Sequence, residues 1–212
     1  MNLEGFDLED DQIAAFHQSL ARLRQRYSVE VTDCDQIPGL FGWIDALKAY
    51  QVLGHYKDFQ IINVFNASTD GAAFQIVNVY VSYVVNTGKG HMQEFGKVQS
   101  IGWAELPVDF GYVLITAETV ADKVLDFFLH RDVDFEAHKA FSDRFLLLAS
   151  DKAAVKKHFT AEWLDCIAAS GHVEIEIKGN KLVASYPEAM TVTTTLAIAG
   201  LVEKAKRTIL AE

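Results

Sequence analysis

The segment Asp132-Val133-Asp134-Phe135-Glu136-Ala137-His138 sets three carboxylates and an imidazole at alternate positions, with His130 and Asp143 close by in the chain. Oxygen ligands at alternate positions are how a calcium loop begins, and a carboxylate near an imidazole can serve acid–base chemistry. An EF-hand needs glycine at the sixth loop position and glutamate at the twelfth, where this chain has Ala137 and Asp143. Val133 and Phe135 alternate with the acids, which predicts an extended segment with one face buried and one wet. Asp132, Asp134 and His138 are thus the candidate binding residues, for a partner surface or a polar ligand. No catalytic residue, metal site or cofactor is expected.

Other fragments resemble catalytic motifs and fail on spacing. His130-Arg131-Asp132 has the first three residues of a kinase catalytic loop, but the asparagine required five residues after the aspartate is Ala137, and no kinase glycine loop exists. Gly88-Lys89-Gly90 lacks the Lys-Ser/Thr ending of a phosphate loop and sits where a hairpin turn is expected. GxSxG, HExxH and GxGxxG are absent. The seven histidines are scattered, and Trp43, Trp103 and Trp163 all lie among apolar neighbours, so core packing is the expectation for each.

Charge narrows the partners. Nineteen Lys and Arg stand against 29 Asp and Glu, a formal charge of −10. That field is the opposite of what a phosphate backbone requires, so nucleic acid is excluded as a partner class. The basic group Arg22, Arg24 and Arg26 follows the acidic residues Glu4 to Asp11, the order that suits the macrodipole of a helix between them. Cys34 and Cys166 share no CxxC spacing and suggest a reducing compartment. With no basic residue before Arg22 and no apolar h-region, no signal peptide is expected. The longest apolar stretches, 74–85 and 192–202, fall short of the ~20 residues a spanning helix needs. A soluble, cytoplasmic chain with no direct membrane insertion is expected.

The elements that must position these residues follow from periodicity. Ile13, Phe16, Leu20, Leu23 and Tyr27 form one helical face, with Asp10 or Asp11 as N-cap. Pro38-Gly39 marks a loop. Strands are predicted over 47–55, 58–67, 73–86, 94–105 and 109–116, a meander with turns at Asp70-Gly71, 86–90 and Pro107. Beyond it come a helix over 118–129, a strand over 145–149, a helix capped by Ser150 and another capped by Thr160, with Gly171 at its C′ position. A two-residue turn at Gly179-Asn180 pairs Ile177 with Leu182, Ile175 with Ala184 and Val173 with Tyr186 on one face, leaving Glu174, Glu176 and Lys178 on the other. Residues 192–210 close the chain as an amphipathic helix.

Between 106 and 186 the chain carries Leu106-Pro107, Ala117-Glu118-Thr119-Val120-Ala121-Asp122, Asp132-Val133-Asp134-Phe135, Phe141-Ser142-Asp143-Arg144-Phe145, Asp151-Lys152-Ala153-Ala154-Val155, Phe159-Thr160-Ala161-Glu162-Trp163-Leu164 and Gly179-Asn180-Lys181-Leu182. In this order it resembles a diffuse group of uncharacterised bacterial proteins, many of them membrane-anchored, in which a cytoplasmic α+β domain follows one or two transmembrane helices. The resemblance covers about 130 residues, with 56–86 similar to the upstream part. It implies a bacterial source and carries no activity, cofactor or catalytic residue.

The fold class expected is α+β: an antiparallel β-meander packed with a helix–strand–helix–hairpin–helix half. It forms a single compact domain over 1–212 with halves at 1–116 and 117–212. The function expected is a non-catalytic binding or assembly module, with a protein partner or self-association. The alternative is a small-molecule enzyme or carrier with a pocket between sheet and helices.

Overall fold

The computed structural model describes residues 1, 3, 6, 8–88, 90–117, 132–135 and 137–210. The predicted helix over 118–129, His130 and Glu136 lie outside the described residues.

Helix α1 (Asp10–Leu23) turns Phe16, Leu20 and Leu23 inward at spacings of three and four, as predicted. Its N-cap is Glu9, whose N–H donates to Gln12 Oε1 at 3.0 Å, so Asp10 and Asp11 occupy the first turn instead. Strand β1 (Ser28–Asp33) follows, then a 3₁₀ turn (Cys34–Gln36) and helix α2 (Leu40–Lys48). Strands β2 (Asp58–Thr69), β3 (Ala72–Asn86), β4 (Met92–Glu105) and β5 (Tyr112–Ala117) come next. The C-terminal part carries α3 (Lys139–Ser142), β6 (Phe145–Ala149), α4 (Lys152–His158), α5 (Ala161–Ala169), β7 (Glu174–Lys178), β8 (Lys181–Ser185) and α6 (Val192–Thr208).

All eight strands join one antiparallel sheet in the order β1-β2-β3-β4-β8-β7-β5-β6. Strands β1 to β4 are a meander in chain order, and the fold is α+β as expected. The second half enters the same sheet, because the β7–β8 hairpin is inserted between β4 and β5. Its register is the predicted one, Ile175 opposite Ala184 and Ile177 opposite Leu182 around the Gly179-Asn180 turn. Gly179 has φ 61, the left-handed conformation this turn requires.

The two faces of the sheet are covered unequally. One face is buried under α1, α5 and α6, in a core that includes Phe16, Phe65, Ile76, Trp163, Ile175 and Val202. Gly102 marks how closely α6 approaches: a Cβ there would lie 2.6 Å from Ile198 Cγ2 and Val202 Cγ2. The other face carries a smaller core of Leu47, Tyr50, Leu53, Val79, Ile101 and Val183, covered by α2 and the turns that follow it. That cover is partial, and the functional geometry is found where it ends.

Two expectations are corrected here, and one strand is added. Residues 47–55 are not a strand: Leu40, Trp43, Ile44 and Leu47 repeat at helical spacing, and the chain continues through turns in which Tyr50 N–H donates to Leu47 O and Gly54 N–H to Tyr50 O. Their apolar side chains are buried by packing flat on the sheet. Strand β1, unassigned from sequence, is the edge strand opposite β2. The cap of α4 is Asp151, whose Oδ1 accepts from Ala154 N–H at 2.9 Å. Ser150 Oγ instead accepts from Tyr112 N–H at 2.8 Å. Thr160 and Gly171 play their predicted roles, Thr160 Oγ1 accepting from Trp163 N–H and Gly171 taking φ 77.

Candidate functional site

The antiparallel registers line up one residue per strand across the sheet: Glu30, Asn66, Gln75, Trp103, Val183, Glu176, Leu114 and Leu148. Directly opposed residues share a face, so all eight point to the side of α2. A bulge at Ile62, between Ile61 opposite Val79 and Asn63 opposite Asn78, shifts the phase of β2 and brings Asn66 onto this face.

The β1–β4 end of the row is polar and open. Asn66 Nδ2 donates to Thr32 Oγ1 at 2.9 Å, and Gln75 Nε2 donates to Asn66 Oδ1 at 2.8 Å. The bonds fix both amides and leave Gln75 Oε1 and one N–H on each amide for other partners. Beside them Trp103 meets Trp43 of α2, ring centroids 5.5 Å apart and planes tilted by 40°. Tyr50 packs edge-on against Trp103, ring centroids 5.9 Å apart. Both tryptophans are only half-buried, whereas Trp163 is 0% exposed. All three therefore pack on a core, but only Trp163 is wholly enclosed, while Trp43 and Trp103 keep part of their rings in water.

Three cavities open around this pair. One of about 420 Å³ is lined by Ser28, Glu30, Asn66, Gln75, Trp103 and Glu105, among others. A second of about 390 Å³ lies against Gly42, Trp43, Leu47, Trp103, Glu105 and Lys181. A third of about 230 Å³ is bounded by Ile37, Pro38, Trp43, Val64, Asn66 and Gln75. Shared walls make them compartments of one groove: Trp103 and Glu105 separate the first two, Trp43 the second and third, and the Asn66–Gln75 pair the first and third. At the rim, Phe41 of α2 is 81% exposed.

The opposite end of the row is closed by a latch. Glu176 is 0% exposed, with Oε2 accepting from Val52 N–H at 3.1 Å and Oε1 lying 3.3 Å from Lys178 Nζ. Lys178 Nζ also donates to Ala49 O and stands 5.1 Å over the Tyr50 ring. Tyr112 OH donates to Gln51 Oε1 at 3.2 Å. Burial, reinforced by the Glu176 carboxylate, pushes the Tyr50 phenol up to about 12 and raises that of Tyr112. Four contacts thus tie residues 49–52, and with them α2, to β5, β7 and the sheet. The face that carries Glu174, Glu176 and Lys178 is covered at its centre.

Two further features lie elsewhere. Lys97 Nζ sits 5.2 Å over the Tyr56 ring and 5.4 Å over that of Tyr83; burial lowers its basicity against the pull of Glu188 and Glu174. Burial raises the Glu174 carboxyl, with Lys97 opposing. The β3–β4 hairpin also runs past its neighbours: β2 pairing starts at Asp58 opposite Ser82, and β8 pairs only from Ile101. The projecting ribbon exposes Val84, Val85, Met92 and Phe95.

The residues singled out from sequence are placed as follows. Val133 is buried and Phe135 half-buried, while Asp132 and Asp134 are exposed, the alternation the spacing predicted. Asp132 bridges Leu148 on the β6 edge, so the segment borders the sheet far from the tryptophan groove. His138 Nδ1 lies 3.6 Å from Asp165 Oδ1 of α5, a neighbour the sequence did not indicate. Among the described residues no group of three or more His, Cys, Asp or Glu could hold a metal ion. Cys34 and Cys166 are both free and half-buried. The groove residues Asn66, Gln75, Trp43 and Trp103 were missed. The available signal was that Asn66, Gln75 and Trp103 interrupt otherwise apolar strands, but only the register shows that they meet.

No protein-family model and no curated protein matches this chain. Among solved structures it is similar to the crystal structure of the mycobacterial trehalose monomycolate transport factor A, TtfA, at 12% identity and a TM-score of 0.47, with 91% of this chain and 90% of that chain covered. A likeness of that degree carries no argument about role. Among the described residues no helix is long and apolar enough to cross a membrane.

Proposed function

We propose that this chain is a non-catalytic binding module whose ligand surface is the groove around Trp43 and Trp103. The observation that carries the reading is that two half-buried tryptophans, on elements about 60 residues apart, converge where three cavities meet. An aromatic pair left partly in water at a concave site, next to amides with spare hydrogen-bonding capacity, has the composition of a recognition surface. Its carboxylates, Glu30 and Glu105, are exposed at a wide mouth. General acid–base and oxyanion chemistry draw their power from a water-excluded centre, which this mouth does not provide. The cavities lie between the sheet and a helix, where the alternative reading would put a small-molecule pocket, yet their lining favours holding a ligand over transforming one. A bacterial origin and a cytoplasmic setting, implied by the resemblance and the two separated thiols, belong to the same proposal.

Intrinsic fluorescence tests it. Trp43 and Trp103 report on the groove, while the buried Trp163 reports on folding alone. A panel of peptides, saccharides and metabolites should yield ligands that shift the emission of the native chain. The same ligands should leave unchanged a Trp43→Phe/Trp103→Phe chain that retains Trp163. Turnover of a panel compound, undiminished in that double variant, would contradict both the site and its non-catalytic nature.

A further inference from the structure

The three compartments differ in chemistry, and the differences specify an occupant. The largest is lined by Glu30, Glu105, the Asn66 and Gln75 amides and Trp103, and no lysine or arginine lines it. The smallest is lined by Ile37, Pro38, Val64 and Trp43, uncharged and largely apolar. The Asn66–Gln75 pair forms the wall common to both. A cation gains from an aromatic face and from flanking carboxylates together; Glu105 shares its field with Lys181, its cross-strand partner, so Glu30 and the Trp103 face supply the larger part. A chain of charge −10 adds a long-range field that draws such a ligand in.

Resting on the groove reading above, we infer that the occupant is an extended, basic segment of a partner protein. A lysine or arginine side chain sits against Trp103 between Glu30 and Glu105, and an apolar side chain fills the Pro38–Val64 compartment. The intervening main chain bonds the free N–H and C=O capacity of Asn66 and Gln75. A compact amine would occupy the acidic compartment and leave the apolar one empty; an extended segment fills both and uses the amide wall between them. Lys181, which lines only the second compartment, turns the cationic side chain toward the first.

The test is selection of phage-displayed random linear peptides on the full chain, with binding sites mapped by amide chemical shifts. The expected binders carry Lys or Arg near an apolar residue, move the resonances of Glu30, Asn66, Gln75 and Glu105, and weaken as salt is raised. Against such a peptide, the exposed-site double variant Glu30→Lys/Glu105→Lys should bind about tenfold or more weakly. The reversal Asp143→Lys, on a remote exposed site, should bind as the native chain does. Groove-bound peptides that are neutral or acidic, or whose affinity ignores salt and the double variant, would overturn the cationic occupant and leave the groove standing. Binders that map elsewhere would overturn the groove itself. Recovery of no binder would overturn the extended segment as ligand.

Discussion

Glu176 gives the sharpest prediction from the structure. Its carboxylate is wholly buried, with one oxygen accepting from Val52 N–H at 3.1 Å and the Tyr112 hydroxyl and Lys178 ammonium beside it. Comparing Glu176→Gln with Glu176→Leu isolates that bond, because both variants remove the buried charge and its desolvation cost, and only Gln keeps an acceptor oxygen. The Lys178 and Tyr112 contacts contribute little to the difference: the Lys178 side chain is 38% exposed and retains the Ala49 carbonyl, and the Tyr112 hydroxyl retains Gln51, in either variant. What remains is a buried N–H without a partner, worth about 1–3 kcal/mol. The Leu variant should therefore be less stable than the Gln variant by that amount, roughly 1 M in urea midpoint for an m-value of about 2 kcal/mol/M. The Val52 amide should lose hydrogen-exchange protection in Leu and keep it in Gln. Because residues 49–52 are continuous with α2, the emission of Trp43 should shift to the red in Leu alone. Equal midpoints together with an unchanged Val52 amide would refute the latch.

Three other outcomes follow from the packing and charge. Gly102→Ala puts a methyl 2.6 Å from Ile198 and Val202, both stiff β-branched side chains, and should cost about 1–3 kcal/mol in thermal unfolding. Glu203 accepts from Tyr27 OH at 2.8 Å, Arg26 Nη2 at 2.6 Å and Arg207 Nε at 2.9 Å. Since both arginines reach solvent, Tyr27→Phe should cost about 0.5–1.5 kcal/mol, and Glu203→Leu more, because it strands the buried phenol. The folded Glu174 carboxyl is raised by burial above its ordinary 4.5, with Lys97 lowering it and Glu188 and Glu176 raising it. Its contribution is thus fully present below pH 4.5 and lost as pH rises through the folded value; Glu174→Gln should remove that part of the slope in urea midpoints taken across this range and stabilise the chain at neutral pH.

Much of the architecture is legible in local pattern. The β7–β8 register follows from alternation and a Gly-Asn turn that agree; α5 announces itself through the Thr160 cap and α6 through its amphipathic pattern, while the Thr191 cap of α6 was not read from the sequence. Where local pattern failed, the cause was a contact between distant segments. Leu47, Tyr50, Val52 and Leu53 are apolar because they lie on a sheet, and an apolar run that short reads equally as strand, helix or turns. The bulge at Ile62 inverts the inward phase halfway along β2, so alternation counted from Asp58 assigns Asn66 to the wrong face. Glu176 is polar in a position that alternation would place outside, and only the return of residues 49–52 buries it. Trp43 and Trp103 each look like core. Their half-burial depends on α2 covering one end of a sheet face and stopping short of the other.

Everything proposed for this chain depends on ligands entering the tryptophan groove. Amide chemical-shift mapping of the full chain with a selected peptide tests it most directly. Shifts should be confined to 28–32, 64–68, 73–75, 103–105 and α2. Shifts centred on Asp132–His138, or on the exposed β3–β4 ribbon around Val84 and Met92, with the groove unmoved, would contradict it.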